Sequence, residues 1–276
     1  MIPRAHVTAW RSKAPWPTDA QVEQDLIVSR ALVEMFSSAL VARSVAFRGG
    51  TALHKLFFER PGRFSEDIDL VQVAAGAIGP LLDAIRAALD SWLGEPKRRL
   101  GHGRVTLLYR FATTSLPVQP ARLKVEINTR EHFAVFGDQL RRLEVDNPWF
   151  SGTADINTYY IEELLGTKLR ALYQRRKGRD LYDLWLALRA LAIDDEKVVH
   201  CFGRYLDQGE TSVSRAEVEE NLSAKMQTPA FLGDLAPLLL AGAKFDVIGA
   251  AELVLARLIA KLRGEPWKAD SRRSGH

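Results

Sequence analysis

The sequence contains a single cysteine, Cys201, among its 276 residues. One thiol cannot form an internal disulfide, and a cysteine-based zinc cluster needs several, so both are excluded as stabilising centres. This composition suits a reducing compartment, in which Cys201 is more typical of a small buried residue than of a nucleophile. Because 47% of the residues are hydrophobic, we expect a globular protein with one large core or two moderate ones.

Long apolar runs are also missing. The richest apolar stretch, residues 247–262, is interrupted by Glu252 and Arg257 well short of the length that spans a bilayer. Residues 1–21 contain no apolar region of the kind found in signal peptides. The sequence therefore predicts a soluble cytoplasmic protein with no membrane partner.

Basic residues are unevenly distributed, although the net charge is only +4. Residues 167–179 hold six Lys or Arg and no acid, residues 97–104 are also free of carboxylates, and the tail 263–276 is mostly basic. Such segments are typical of surfaces that bind a polyanion such as RNA. The alternative for each of them is a solvated surface that keeps the protein in solution.

The apolar periodicity divides the chain into two halves. Thr18 and Gln21 form the pattern of a capping box before a helix. Strand-like segments then alternate with helical ones, namely "SVAF", "RFSEDIDLVQV", "RVTLLYRF" and "RLKVEINTR". We predict an α/β (α+β) domain with a mixed sheet over residues 1–150 and an all-helical domain over residues 151–276. The boundary is expected near residues 147–156.

Two aspartates interrupt a core-type strand in the segment "RFSEDIDLVQ". Because strand residues i and i+2 share a face, Asp67 and Asp69 project side by side while Ile68 and Leu70 point into the core. Carboxylates held that close repel each other, and a cation between them removes the conflict. Mg²⁺ or Mn²⁺ prefers such oxygen ligands together with nucleotide phosphates. The alternative is an edge strand whose solvent face is acidic.

Two neighbouring segments favour the metal interpretation. Gly49, Gly50 and Thr51 lie between a strand and a helix, where glycine lets the backbone and the helix N-terminus approach a phosphate. Glu126 lies on the polar side of an alternating strand and would supply a third carboxylate. Three acids around divalent cations are what two-metal nucleotidyl or phosphoryl transfer requires. A plain tight turn and a surface glutamate remain the alternatives.

Lys168 falls on the apolar face of a predicted helix. It follows Leu164 by four positions and Ile161 by seven, so its ammonium needs an anionic partner. A triphosphate would serve, and the alternative is a lysine whose stem covers apolar surface. Asp180 stands where an N-cap would begin the next helix. Capping explains this residue by itself, and an additional role in the site is the alternative.

Three segments together resemble the AbiEii/AbiGii nucleotidyltransferase toxins, also called MenT-like toxins, of bacterial abortive-infection and toxin–antitoxin systems. The resembling text is "FRGGTALHKLFFERPGRFSEDIDL" at residues 47–70, "LKVEIN" at 123–128 and "EELLGTKLRALYQRRKGRDLYDLW" at 162–185. The resemblance implies a DNA-polymerase-β-type nucleotidyltransferase domain and a Mg²⁺- or Mn²⁺-dependent enzyme. It also implies an NTP substrate, an acceptor at the 3′ end of tRNA, a block of translation and a cognate antitoxin.

The resemblance also implies roles for individual residues, carried over motif by motif. The nucleotide-binding set is Arg48, Gly49, Gly50, Thr51, Ser65 and Lys168. The catalytic set is Asp67, Asp69, Glu126, Lys168 and Asp180, of which Asp67, Asp69 and Glu126 hold the metal. Arg48 departs from the family, which often has lysine there, and arginine favours planar bidentate contacts. The rival hypotheses are transfer of a nucleotide or phosphate to a protein, and a non-catalytic basic RNA-binding regulator.

Overall fold

The chain is described by a computed structural model over residues 2–114 and 116–268. Residues 269–276 of the predicted basic tail lie outside this described part. The chain forms two compact units. The first runs from the amino terminus to Tyr160 and includes Leu238–Ala243; the second comprises Ile161–Pro237 and continues from Lys244.

The first unit contains a sheet with helices. Its helices are α1 (Arg4–Trp10), α2 (Asp19–Phe36), α3 (Ala39–Ser44), α4 (Gly49–Leu56) and α5 (Gly79–Leu93). Its strands are β1 (Val45–Arg48), β2 (Ile68–Gln72), β3 (Lys97–Gly101), β4 (Arg104–Ala112), β5 (Pro120–Asn128), β6 (Asp138–Asn147) and β7 (Phe150–Tyr159). The predicted capping box of Thr18 and Gln21 is confirmed at the start of α2.

The seven strands form one mixed sheet in the order β3-β4-β5-β2-β1-β7-β6. The pairs β2–β5 and β1–β7 are parallel, whereas the other neighbours are antiparallel. One face packs on the core, to which β2, β4 and β5 contribute alternate residues: Ile68, Leu70, Val105, Leu107, Tyr109, Leu123, Val125 and Ile127. Burial of these apolar side chains stabilises the unit and leaves the intervening residues of the same strands on the opposite face. The predicted α/β fold with a mixed sheet is confirmed.

The described residues of the second unit form helices and no strand. They are α6 (Ile161–Gln174), α7 (Gly178–Ala190), α8 (Asp195–Asp207), α9 (Arg215–Met226), α10 (Pro229–Gly233) and α11 (Val247–Arg257), with a 3₁₀ turn at Ile259–Lys261. A second 3₁₀ turn, Ala236–Leu238, lies where the chain passes from this unit to the first. Lys225 on α9 donates to the carbonyls of Leu172 and Tyr173, which satisfies part of the carboxyl end of α6. None of the helices in the described residues is both long and apolar enough to cross a membrane.

The periodicity does not predict β3, β6 or β7. All five residues of β3 are exposed, and β6 is largely exposed, so neither shows the apolar alternation of a core strand. The buried residues of β7 include the polar Asn157 and Thr158, whose side chains donate to the carbonyls of Val45 and Phe47. The boundary expected at residues 147–156 falls within the β6–β7 hairpin, and the two units divide after Tyr160.

Candidate active site

The turn from β1 into α4 places the glycine motif beside the acidic strand. Gly49 begins α4 with a backbone φ of +83°, which glycine adopts without the steric cost that a side chain brings. A Cβ atom added at Gly49 would lie 2.5 Å from Oδ2 of Asp69. Gly50 follows as the second residue of α4 and is buried. The start of α4 at Gly49 therefore lies against the carboxylate of Asp69.

Thr51 fixes the loop that leads into β2. Its hydroxyl donates to the backbone carbonyl of Asp67 at 2.5 Å and lies 2.8 Å from Oγ of Ser65. Thr51 is buried, so these hydrogen bonds are sheltered from water. The glycine motif and the acidic motif are thus joined through side chain and backbone, although 14 residues separate Thr51 from Ser65.

The acids occupy the face of the sheet opposite the core. Asp67 comes directly before β2, Asp69 is its second residue, and Asp69 lies beside Glu126 of β5 in the parallel register. Lys124 lies among them: its Nζ atom is 2.9 Å from Oδ2 of Asp67 and 3.8 Å from Oε2 of Glu126. The three carboxylates are therefore gathered on one face, together with an ammonium group that the sequence analysis did not assign to the site.

The charged groups on this face shift one another's pKa values. Burial raises the pKa of Asp69 above the usual value for aspartate, and the charges of Asp67 and Glu126 raise it further, against the lowering effects of Lys124 and Arg48. Burial alone would lower the pKa of Lys124, but its hydrogen bond with Asp67 and the nearby acids raise it overall. Burial and the neighbouring acids thus disfavour the charged form of Asp69, and a further cation among these carboxylates would relieve their repulsion.

Arg48 is engaged within the protein. Its Nη1 atom donates to Oε2 of Glu131 at 2.5 Å, and the same oxygen accepts from Nδ2 of Asn128 at 3.2 Å. Burial alone would lower the pKa of Arg48, but the charge and hydrogen bond of Glu131, together with the nearby Tyr159 and Asp69, raise it overall. Arg48 also lies opposite Asp69 in the antiparallel register of β1 and β2. Glu131 has no signal in the sequence because it lies in the segment after β5 rather than in a strand pattern.

Lys168 lies in the second unit and has carboxylates as its partners. Its Nζ atom is 2.8 Å from Oδ2 of Asp183 and 3.3 Å from Oδ1 of Asp180. Arg175 donates twice to Asp180, at 2.6 and 2.7 Å. The carboxylates of Asp180 and Asp183 are fully buried, and the charges of Lys168 and Arg175 overcome the effect of burial and lower the pKa of Asp180.

The expectation that Asp180 caps the helix is wrong. Helix α7 begins at Gly178 with Lys177 as its N-cap residue, so Asp180 lies inside the first turn. Its carboxylate binds Arg175 and Lys168 instead of the free amides of α7. Asp183 follows Asp180 by nearly one helical turn and therefore projects on the same side. The ion pairs of Lys168 with both aspartates depend on how α6 and α7 pack, which local sequence rules do not give.

A family model describes most of the chain. The model of the nucleotidyl transferase AbiEii toxin of type IV toxin–antitoxin systems matches residues 30–251. The chain belongs to the AbiEii toxin family. The resemblance carried by the three sequence motifs is thereby confirmed. No curated protein sequence matches the chain.

Solved structures show the same fold as this AbiEii-family chain. MenT4, a nucleotidyltransferase toxin from Mycobacterium tuberculosis H37Rv, superposes with a TM-score of 0.68 at 19% identity, covering 95% of this chain and 91% of MenT4. A protein of H. pylori assigned to the nucleotidyltransferases gives a TM-score of 0.54 at 22% identity, covering 86% of this chain and 93% of its own. At these identities the likeness concerns the fold, and the family membership is what identifies the chain as a nucleotidyltransferase toxin.

The nucleotidyltransferase family implies a divalent cation, and the acids of this AbiEii-family chain suit one in donor chemistry. Asp67, Asp69 and Glu126 offer the carboxylate oxygens that Mg²⁺ and Mn²⁺ prefer, and the raised pKa of Asp69 reflects burial together with the charges of neighbouring acids. Within residues 2–114 and 116–268, no three His, Cys, Asp or Glu side chains are already arranged as a metal site. Lys124 instead contacts Asp67 and Glu126.

Proposed function

We propose that this toxin transfers a nucleotide from an NTP to an RNA acceptor, with the 3′ end of tRNA as that acceptor, and blocks translation by doing so. The observation that carries the proposal is the approach of Gly49 to the carboxylate of Asp69. This contact places the N-terminus of α4, which begins with two glycines and suits phosphates, next to acids that suit the cation accompanying an NTP.

In this proposal the site residues of the first unit have different roles. Asp67, Asp69 and Glu126 would hold Mg²⁺ or Mn²⁺, which supplies charge neutralisation for the phosphates and activation of the attacking hydroxyl. The amides at Gly49 and Gly50 would orient the phosphates. Thr51 and Ser65 would keep the loop before β2 in place, since their hydroxyls already contact each other. Arg48, held by Glu131, would add positive charge beside the nucleotide.

Lys168 and Asp180 are proposed to serve the same reaction, on the strength of the family motif that they match. Asp180 and Asp183 both bind the ammonium of Lys168, and a lysine restrained in this way loses little further rotamer freedom on binding a phosphate. In the proposal Lys168 contacts the nucleotide, and Asp180 and Arg175 position it. The competing role is a purely structural ion pair.

Label transfer tests the proposal directly. The protein is incubated with Mg²⁺, total tRNA and each of the four labelled NTPs in turn, and the RNA is examined for label. We expect transfer with at least one NTP, and loss of transfer on removal of the divalent cation. Absence of label on RNA with all four nucleotides would exclude the RNA acceptor, and label on a co-incubated protein would point to protein as the acceptor.

The variant Asp69→Ala identifies the site. We expect transfer to fall at least about 100-fold, the scale seen when one preorganised charged or polar group is removed from an active site. The fold should persist, because removing one of several neighbouring carboxylates relieves their mutual repulsion. Asp83→Ala is the matched control, since Asp83 is an exposed aspartate on α5. Retained transfer in Asp69→Ala would move the chemistry away from β2, and loss of transfer in both variants would show that the effect is not specific to Asp69.

Membership of a type IV toxin–antitoxin family implies an antitoxin partner and an NTP substrate. The proposal adds that the antitoxin acts against the transferase reaction, and that the toxin works in the cytoplasm, where NTPs and tRNA are available. Co-production with the product of the neighbouring gene, followed by the label-transfer assay, tests the first point. Unchanged transfer in the presence of every candidate partner would contradict it.

A further inference from the structure

The acidic face of the sheet continues into a row of cations. Antiparallel register places Arg110 opposite Arg122, Leu108 opposite Lys124 and Thr106 opposite Glu126. On the outer side of β4, Arg99 lies opposite Thr106 and Lys97 opposite Leu108. Because strand residues alternate between faces, one set of cations shares the face of Glu126 and Asp69. We name Lys97, Arg99, Arg104, Arg110 and Arg122 the basic strip.

The basic strip is exposed, and its charges are not neutralised. All five residues are exposed, and within residues 2–114 and 116–268 none of them forms an ion pair or a side-chain hydrogen bond. Arg110 and Arg122 stand directly opposite each other across β4 and β5. Like charges in such a cross-strand pair are destabilising. The fold therefore maintains, on this face, a concentration of positive charge that an anionic ligand would relieve.

The other described basic segment is different, because its cations are largely occupied. In residues 167–179, Lys168 and Arg175 bind Asp180, and Lys177 and Arg179 lie close to Asp234. The guanidinium of Arg170 lies 4.9 Å from the ring centre of Tyr205. Cations that already have partners release less free energy on binding phosphate than the unpaired cations of the basic strip.

We propose that the basic strip is the surface on which the phosphate backbone of the RNA acceptor lies, with its reacting end directed towards Asp67 and Asp69. This inference rests on the proposed function and names the part of the chain that binds the acceptor. The strip begins beside Glu126 and ends at the edge strand β3. Three strand spacings of about 4.8 Å give a track roughly 14 Å wide from β2 to β3.

RNA fits this surface better than an acidic protein does. Four of the five cations are arginines, whose planar guanidinium groups bind phosphate in a bidentate manner. The strip also lies on the same face as the acids that would carry out the transfer, so a polyanion bound there is delivered to them. The strands present no aromatic side chain on this face, which leaves no platform for base stacking. Binding should therefore be independent of base sequence and sensitive to salt.

Salt-dependent RNA binding tests the strip. Fluorescence anisotropy with a short labelled single-stranded RNA of mixed sequence gives the binding constant at several salt concentrations. The triple variant Arg99→Gln/Arg110→Gln/Arg122→Gln removes three contacts. We expect the slope of log binding constant against log salt to become less steep by about 2, since each phosphate contact on a single strand contributes about 0.7.

A second triple variant supplies the matched control. The control, Arg4→Gln/Lys13→Gln/Arg98→Gln, removes the same charge from exposed residues that lie outside the basic strip. Arg98 belongs to β3, but its side chain lies on the opposite face of the sheet from the basic strip. We expect this control to keep the wild-type slope. Thermal unfolding of both variants checks that the fold is retained, and the comparison is made at the same protein and RNA concentrations.

Each outcome decides between the strip and the function on which it rests. An altered slope for the strip variant without label transfer by the wild type would keep the RNA surface and refute the transferase proposal. Label transfer by the wild type, with equal slopes for the wild type and the strip variant, would refute the strip and keep the transferase. The strip is also overturned if the control loses as much slope as the strip variant, or if the wild type binds no RNA but binds an acidic protein.

Discussion

Lys124 neutralises the acids that surround it on the open face of the sheet. It extends from β5 between the carboxylates of Asp67 and Glu126, and its stem lies over the same face as Asp69. A lysine in this place resolves the repulsion of the carboxylates in the absence of another cation. It also means that a divalent cation joining these acids would compete with an ammonium group that is already there.

Replacement of Lys124 by methionine should expose that competition. We expect Lys124→Met to lower the free energy of unfolding by up to about 1 kcal/mol, a small effect because the paired side chains are partly exposed. Added Mg²⁺ should raise the melting temperature of this variant more than that of the wild type. Thermal melts with and without Mg²⁺ measure both effects.

Arg122→Met is the control for Lys124→Met. It removes a cation two residues earlier on the same face of β5, so it changes the net charge equally without touching the acids. We expect Mg²⁺ to affect this control and the wild type alike. An identical Mg²⁺ response in Lys124→Met and Arg122→Met would show that Lys124 does not compete for the acids.

The buried side chain of Lys225 should make the stability of the second unit depend on pH in the alkaline range. Burial lowers the pKa of Lys225 to about 8, below the value near 10.4 of an unfolded lysine. At a pH between these two pKa values, Lys225 is protonated in the unfolded chain but not in the folded one. The unfolded chain therefore binds more protons than the folded chain, and the free energy of unfolding rises with pH. We expect an increase of roughly 2–3 kcal/mol between pH 8 and pH 10 from this group, and urea unfolding of the wild type and Lys225→Met across this range measures it.

The difference between the two proteins isolates Lys225 from other groups that titrate in alkali. Lys225→Met lacks the titrating ammonium but leaves the carbonyls of Leu172 and Tyr173 without their donor, so it should also be less stable near neutral pH. Parallel stability profiles for the wild type and Lys225→Met from pH 8 to pH 10 would show that the pKa of Lys225 is not lowered.

At the scale of elements, the junction of β1 and α4 controls the geometry of the site. Gly49 and Gly137 have nearly the same backbone φ, +83° and +82°, but their surroundings differ. A Cβ atom at Gly49 meets the carboxylate of Asp69, whereas a Cβ atom at Gly137 meets nothing within 4 Å. Substitutions at the two glycines therefore distinguish the effect of backbone strain, which both share, from the effect of crowding against Asp69, which only Gly49 has.

Alanine at each glycine tests this distinction. Both variants should lose about 1–2 kcal/mol of stability, the cost of a side chain in the left-handed region. Gly49→Ala should lose at least about 1 kcal/mol more from overpacking against Asp69, and it should abolish label transfer because the acid is displaced. Urea unfolding and the transfer assay measure the two effects, and equal losses in both variants would show that Gly49 matters for its backbone alone.

The elements that could be predicted from the sequence are those with a buried face. In β5, Leu123, Val125 and Ile127 alternate with polar residues. Because one side of the strand is buried, this alternation appears in the sequence and predicts the strand. In β3, the residues Lys97–Gly101 are all exposed, so the strand exists through its pairing with β4 rather than through its own composition. The side chains of the basic strip on β3 could be placed only once this pairing was known.

At the scale of the whole molecule, toxicity should depend on one carboxylate. We expect induced production of the chain in a bacterial host to slow growth, and Asp69→Asn to restore it, because the variant keeps the fold but loses a charged oxygen from the proposed metal site. Growth curves with immunoblots at matched protein levels measure the effect. Slow growth caused equally by Asp69→Asn would place the toxicity outside nucleotide transfer, for example in RNA binding by the basic strip.

The sequence alone determined the α/β fold class and predicted that Asp67 and Asp69 share a face, and its three motifs carried the resemblance to the AbiEii family. The first two follow from local rules, because a strand has a period of two and a glycine pair permits the turn that α4 needs. Only the tertiary structure decided that Lys124 lies among the acids, that Lys168 binds Asp180 and Asp183, and that the basic strip shares the acidic face. Those contacts depend on the order and register of strands and on the packing of helices, which bring together residues that are distant in the chain.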